Sequence, residues 1–492
     1  MPELFAQLEA RFGDQGGGIT RRRLLQATLS ASAGLLLSNG CSRPLPRPDK
    51  RIIVVGAGFA GLAAAYELTA AGYDVDVVEA RNRVGGRVLT MTDLVPGKRI
   101  EGGGEFIGSN HPTWIAYADK FDLPLRDVAD ERLEAPIVLG GRRLTRDEGV
   151  DLYREMHAAL PSMTADAAKI PDAFEPWTAP NAAALDRKSV GDWIRALEAS
   201  PLCKTGLHAM FTDDGVPIDA ESYLGSLAVV KGGGLTRYWT DSESYRCGAG
   251  NEALAAKLVE GIGAQRIRLG LSVRRIDVSK RPVSVELADG SMILADDIVL
   301  AVPPTVWTNI DIEPPLPRAL TLQMASIAKF IVAARGPFWS EEGVSAESLS
   351  DGPVNWTWRA TGDQPGPGEA FCAFSGGTDA DTCRGWPTGE RVDRYLDELS
   401  HVYRGIRASY VTSRFMDWSA EPSIQAFYSC SGLGEITRVG PILRDGLGAL
   451  HFAGEHTCHA FAGYMEGALN SGASLARKLA ERDGVLRRGW FG

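Results

Sequence analysis

Gly56, Gly58 and Gly61 stand as G-x-G-x-x-G at the end of an apolar run, residues 51–56, RIIVVG. A tight turn without side chains lets backbone approach a pyrophosphate at a helix N-terminus. Eighteen residues beyond Gly61 comes Glu79, an acid able to take the hydrogen bonds of an adenosine ribose. Phe59 and Ala60 lie inside the turn, and Ala80 and Arg81 follow the acid. Arg83-Val84-Gly85-Gly86-Arg87 comes next. Its glycine pair exposes backbone N–H groups and its arginines add positive charge, a second support for the pyrophosphate. The chemistry these residues offer is the binding of a dinucleotide.

The elements that must hold them are readable. The run 51–56 suits a buried parallel strand. An alanine-rich helix follows from Leu62 to Ala71, with Gly72 at its C-cap, and a second strand from Val75 to Val78 ends in Glu79. Far along the chain, Ala449 to Ala453 reads as a strand followed by Gly454-Glu455. Residues Gly463 to Glu481 then have helical periodicity, with Tyr464 and Met465 at their start. A Gly-acid pair and a helix N-terminus suit a ribityl chain and the polar edge of a flavin ring. The glycine doublet at 85–86 looks like that of FAD oxidases and is usually lacking in NAD dehydrogenases. Between these ends, Ser272 to Val302 alternates apolar and polar residues, with Asp289-Gly290 as a hairpin turn. Ile298 to Val302 reads as a buried strand stopped by Pro303-Pro304. Trp114 to Leu207 has helical spacing. If Leu235 to Trp239 is extended, Arg237 and Trp239 share one face.

The chain has 492 residues, 44% hydrophobic, enough for two cores or one large one. Its net charge of −10 and the lack of basic runs beyond the N-terminus argue against nucleic acid as a partner. None of the seven cysteines forms C-x-x-C and no H-x-x-x-H occurs, so no metal site is expected. Ile19 to Cys41 contains Arg21-Arg22-Arg23, an apolar run from Leu24 to Leu37 and Gly40-Cys41. The run is too short to span a bilayer and has the length of a signal-peptide core. The segment looks like a twin-arginine export signal. It would make the export machinery a partner and the periplasm or exterior the destination, with a lipid anchor at Cys41 as a further expectation. The alternative is a cytoplasmic protein with a chance arginine triplet. A proline-rich linker, Pro44 to Pro48, follows.

Taken in order, RIIVVGAGFAGLAAAYEL, EARNRVGGRV, EGGGEFIGSN, DDIVLAVPP, ASIAKFIVAARGPFW and HFAGEHTCHAFAGYMEGALNSG resemble the flavin monoamine oxidase and L-amino-acid oxidase family. The resemblance runs from Arg51 to about Glu481. EGGGEFIGSNHPTW and KGGGLTRYWTDSESYRC look most like bacterial broad-range L-amino-acid oxidases. It implies an α/β fold with a discontinuous Rossmann-type FAD-binding domain, residues 50–108, 242–305 and 440–485. A mixed α+β substrate domain with a helical part takes 109–241 and 306–439, after an export signal and linker at 1–49. Gly103, Gly104, Glu105 and Val273 are implied as further cofactor contacts. Lys329, before Phe338-Trp339, is implied to hold a water beside flavin N5. Tyr464 matches one member of the aromatic pair flanking the substrate amine, and Phe427 falls on the other. Ala426 stands where covalent monoamine oxidases have a cysteine, so FAD is expected to be non-covalent. Trp239 is placed as a pocket wall. Members are often dimers, and a homodimer is among the expectations.

The resemblance implies hydride transfer from an amine Cα–H to FAD, with molecular oxygen as second substrate and hydrogen peroxide as product. L-Amino acids are the substrates that the subgroup implies. They require a cation for the carboxylate. Snake-venom-type enzymes place an arginine where this chain has Phe106, so Arg237, Arg246 and Arg87 remain open as candidates. The alternatives are a monoamine or polyamine oxidase with no carboxylate requirement, an amino acid monooxygenase, and a non-catalytic FAD-binding electron carrier.

Overall fold

The computed structural model describes residues 48–128 and 133–486. The arginine triplet, the apolar run after it, Cys41 and most of the proline-rich linker lie outside the described residues.

The fold is α/β. A five-stranded, all-parallel sheet runs in the order Leu450–Phe452, Asp297–Leu300, Arg51–Val55, Asp74–Val78, Ile267–Arg268. Its central strand carries Ile52, Ile53 and Val54, all fully buried, because both faces of the sheet are covered. Helices Phe59–Ala70, Glu252–Ile262 and Met465–Arg482 pack together on this layer. Two glycines set how closely. A Cβ on Gly61 would lie 1.9 Å from the carbonyl oxygen of Gly56, so the first helix rests directly on the strand end. A Cβ on Gly472 would lie 2.2 Å from the carbonyl oxygen of Ala60, which fixes the crossing of the first and last helices.

A second sheet orders Met292–Ala295, Val283–Leu287, Val273–Asp277 and Asp311–Glu313. The expected hairpin is present, with Gly290 left-handed at φ +84°. A third, seven-stranded sheet runs Tyr410–Met416, Ile327–Ala334, Glu369–Gly376, Trp356–Arg359, Ser348–Ser350, Ile137–Leu139, Arg142–Arg143. A helical layer, chiefly Arg146–Ala168, Pro201–Phe211 and Tyr223–Gly232, packs beside it.

Several element boundaries differ from expectation. The first helix begins at Phe59, since the turn glycines serve as its start, and ends at Ala70. The last begins at Met465, with Tyr464 as N-cap. The strand expected over Ile298 to Val302 runs Asp297–Leu300. Residues 114–207 also hold the short strands Leu125–Asp127, Ile137–Leu139 and Arg142–Arg143. Leu235 to Trp239 is not extended. Gly234 turns left-handed at φ +90°, a 3-10 turn Leu235–Arg237 follows, and then a helical turn Tyr238–Asp241. The Arg237–Asp241 pair, one helical turn apart, favours that coil over a strand. Arg237 and Trp239 therefore point apart.

The six described cysteines are free thiols. Among the described residues no helix is long and apolar enough to cross a membrane.

Candidate active site

A cavity of about 650 Å³ runs between the parallel sheet and the helical layer. Gly56, Gly58, Phe59, Ala60, Glu79, Ala80, Arg81, Gly86 and Arg87 line one end. Gly103, Gly104, Glu105, Val273, Lys329, Gly454, Glu455 and Met465 line it further along, and Trp239, Phe427 and Tyr464 line it as well. Three of the expected or candidate site residues, Gly61, Arg237 and Arg246, do not line it. Gly61 is buried under the strand end, where it sets helix packing. Arg237 instead gives Nε to Asp241 at 2.9 Å and reaches Ser109 Oγ.

The nucleotide end is built by backbone. Glu79 accepts the N–H groups of Ala57 at 2.7 Å and Arg81 at 2.9 Å, so the acid also fastens the glycine turn to the second strand. Gly58 caps the helix without any side chain, and the first intrahelical bond is Leu62 N–H to Gly58. The preceding N–H groups of the helix are left for an anion. Gly86 approaches Gly58 so closely that a Cβ on it would lie 3.0 Å from the Gly58 Cα. The indole of Trp418 lines the cavity nearby, with the guanidiniums of Arg81 and Arg83 at 5.4 and 5.7 Å from its ring. His456 is buried in the cavity wall and both its ring nitrogens lack partners. Burial pushes its pKa down to about 4, so it is a neutral donor and acceptor. Capless helix start, glycine turn, ribose acid and orphaned imidazole fit a flavin dinucleotide.

Lys329 is an interior-strand residue, flanked by Tyr410–Met416 and Glu369–Gly376, and only 2% exposed. Its ammonium bonds Glu105 Oε2 at 3.0 Å and the carbonyls of Glu101 and Gly103 at 3.1 and 3.2 Å. Burial alone would push its pKa down; the Glu105 carboxylate outweighs that and raises it. Lys329 is thus a fixed cation. Glu105 was expected as a cofactor contact, but its carboxylate also receives Arg246 Nε at 3.0 Å and Trp358 Nε1 at 3.1 Å. It anchors the lysine.

Glu455 shows a similar change of role. Its carboxylate accepts Arg87 Nη1 at 3.1 Å, Ser429 N–H and Oγ, and Gly463 N–H at 2.9 Å. A carboxylate has about four acceptor positions. They are filled by protein donors, so ribityl binding falls to other groups. Arg87 also donates to the carbonyl of Phe427 at 2.7 Å. Glu455 and Arg87 together clamp the segment bearing Phe427 to the one bearing Tyr464. Glu455 is held below the usual carboxylate range: burial opposes ionisation, but Arg87 and the donors win.

Around the aromatic pair lie groups that no motif announced. Tyr238 and Tyr428 line the cavity, and the Tyr428 hydroxyl donates to the carbonyl of Asp213. Asp213, Asp214, Glu221 and Glu243 line it too. They are scattered along the helical layer, which is why spacing did not reveal them. Arg246 stacks on Phe106 at 4.6 Å and is held by Glu105 and the carbonyl of Arg359.

A glycine-turn dinucleotide site joined to a buried lysine and an aromatic-walled cleft defines a flavin-dependent oxidoreductase of the amine oxidase type. The chain belongs to the flavin containing amine oxidoreductase family, whose model matches residues 59–480. It is 30% identical over 467 residues to AofH of Mycobacterium tuberculosis, a candidate flavin-containing monoamine oxidase, covering 87% of this chain and 96% of that one. It is 28% identical over 461 residues to putrescine oxidase of Kocuria rosea, covering 88% and 95%. The structure superposes on cyclohexylamine oxidase from Brevibacterium oxydans with a TM-score of 0.80 at 26% identity, covering 88% and 99%. The cofactor is FAD, held without a covalent bond, and the reaction is an oxidative deamination. The sequence motifs pointed toward L-amino-acid oxidases; the relatives found here are named for amines.

Proposed function

We propose that the protein oxidises primary amines and has no carboxylate requirement. One observation carries this reading over an L-amino-acid oxidase. The cations lining the cavity are Arg81, Arg87, Arg274 and Lys329. Arg81 donates to the carbonyl of Gly86, Arg87 holds Phe427 and Glu455, and Lys329 is paired with Glu105. Arg274 follows Val273 at the Glu79 end, where Leu271 N–H bonds the Glu79 carbonyl. None is placed to receive a carboxylate beside the aromatic pair. Of the three arginines considered for that task, Arg237 and Arg246 do not line the cavity and Arg87 serves the clamp.

In this mechanism the uncharged amine enters between Phe427 and Tyr464, whose faces orient it and exclude water. Tyr464 is braced edge-to-face by His111 at 5.1 Å, and Phe427 by Phe374 at 6.2 Å. Burial pushes the His111 pKa down to about 3, so this brace stays neutral. FAD held by the glycine turn, Glu79 and the capless helix start would supply the two-electron oxidation of the amine to an imine, with oxygen as final acceptor and hydrogen peroxide as product. The imine product hydrolyses to aldehyde and ammonia. Lys329 would keep a positive charge on the cavity wall, but its three ammonium donors are taken by Glu105 and by the carbonyls of Glu101 and Gly103, so the water expected on it has no free donor there. The test is peroxide release from purified holoprotein against primary amines, L-amino acids and D-amino acids. Peroxide with amines and none with amino acids is the expected result. Peroxide with L-amino acids alone would overturn this reading and restore a carboxylate site.

A further inference from the structure

Of the cavity-lining residues between 211 and 243 and between 427 and 431, four are acids and none is basic. Acidic lining alone says little. Glu221 adds a specific mark. It is 4% exposed, Oε1 receives the Ser226 hydroxyl at 2.5 Å, and Oε2 is buried with no hydrogen-bond partner. A buried acceptor left open is costly, and a native structure keeps one where something else supplies the donor.

The placement is fixed by backbone. Glu221 bridges Gly432, on the segment that carries Phe427. Asp214 precedes Gly215, whose carbonyl receives the N–H of Ser326, at the foot of the strand bearing Lys329. Tyr428 reaches back to the Asp213 carbonyl. The acids therefore flank the aromatic cleft, on the wall formed by the helical layer.

We propose that Glu221, with Asp214 beside it, receives a second ammonium group of the substrate, so that this enzyme prefers α,ω-diamines or polyamines to monoamines. This rests on the amine oxidase reading and gives it a substrate class. An ammonium has three donors and no acceptor, which suits a carboxylate oxygen that lacks a hydrogen-bond partner. Without such a ligand, burial pushes Glu221 up to about 8 and Asp214 well above the carboxylate range. A ligand carrying its own positive charge would offset that burial and let both ionise.

The experiment compares kcat/KM for a series of α,ω-diaminoalkanes with n-alkylamines of matched length, on the holoenzyme. A preference for diamines with an optimum at one chain length is expected. In Glu221→Gln the diamine-over-monoamine preference should fall about 10- to 100-fold, the loss of one charge-assisted bond. Asp214→Asn should lower it in the same direction. Flavin content and melting temperature check that each variant is folded. Equal or better turnover of monoamines at every length would overturn the proposal and leave the amine reading intact. So would a preference unchanged in both folded variants. Peroxide with L-amino acids and with no amine would overturn both.

Discussion

Replacing Lys329 by methionine tests whether its charge serves the oxygen half of the reaction. The substitution keeps an unbranched stem and removes the ammonium, so little volume changes. Three acceptors lose a donor: Glu105 Oε2 and the carbonyls of Glu101 and Gly103. Removing one partner of a buried ion pair costs about 3–5 kcal/mol when the other charge is left uncompensated. Here Glu105 keeps Arg246 and Trp358 at 3.0 and 3.1 Å, which argues for the low end, about 3 kcal/mol. The variant should fold, bind FAD and melt at a lower temperature. Loss of one preorganised charge typically slows the step it serves about 10²- to 10³-fold. The assay separates the halves. Anaerobic mixing with a good amine follows bleaching of the flavin absorbance, and mixing the reduced protein with oxygen follows its return. Bleaching should change little while the return slows at least about 100-fold. Unchanged reoxidation in a folded, FAD-loaded variant would refute the reasoning. Lys329 would then be a structural pin between sheet and glycine loop.

Other outcomes follow from the same geometry. Gly61→Ala places a methyl carbon 1.9 Å from a backbone oxygen, so the protein should be insoluble or flavin-free, as its absorbance spectrum would show. Arg237→Ala removes only a partly exposed pair with Asp241, worth less than about 1 kcal/mol, and should leave amine turnover unchanged; a large rise in KM would restore Arg237 to the binding site. Acid precipitation should release all flavin into the supernatant, and yellow colour retained in the pellet would contradict a non-covalent site. Glu466 takes the N–H groups of Thr113 and Trp114, and burial pushes it up to about 7, above its unfolded value. The folded state then holds the proton more tightly, so the stability Glu466 contributes is full at low pH and is lost as pH rises through about 7. Melting temperature followed against pH should show a smaller decline over that window in Glu466→Gln than in the native protein.

The nucleotide end was legible because its chemistry is local. Gly56 to Glu79 is one strand–helix–strand unit, and the glycine spacing reports the backbone that an anion needs. The C-terminal half of the site was legible as residues but not as roles. Gly454 and Glu455 line the cavity, yet sequence cannot show that Ser429, Gly463 and Arg87 fill the carboxylate. Lys329 was singled out by the family resemblance, but its counter-charge Glu105 is 224 residues away in the chain. The Arg237–Trp239 face failed for a local reason, since Gly234 and the Arg237–Asp241 pair coil that stretch. The acids at 213, 214, 221 and 243 have no common spacing, because a helical layer brings them together only through tertiary packing.

The arrangement also bears on the three arginines left open as partners for a substrate carboxylate. What matters in a buried site is not which cations are near but which are left over after internal pairing. Arg87 is committed twice, to a carbonyl and to Glu455, and Arg246 twice, to Glu105 and to a carbonyl. Lys329 is committed to three acceptors. A substrate carboxylate would have to displace one of these at the cost of an orphaned buried group, about 1–3 kcal/mol or more for a charge. On the acid side the account runs the other way, because Glu221 Oε2 has no internal partner to displace. Internal pairing thus occupies Arg87, Arg246 and Lys329, and Glu221 Oε2 is left without a partner beside the aromatic cleft, where a cationic tail is the ligand proposed for it.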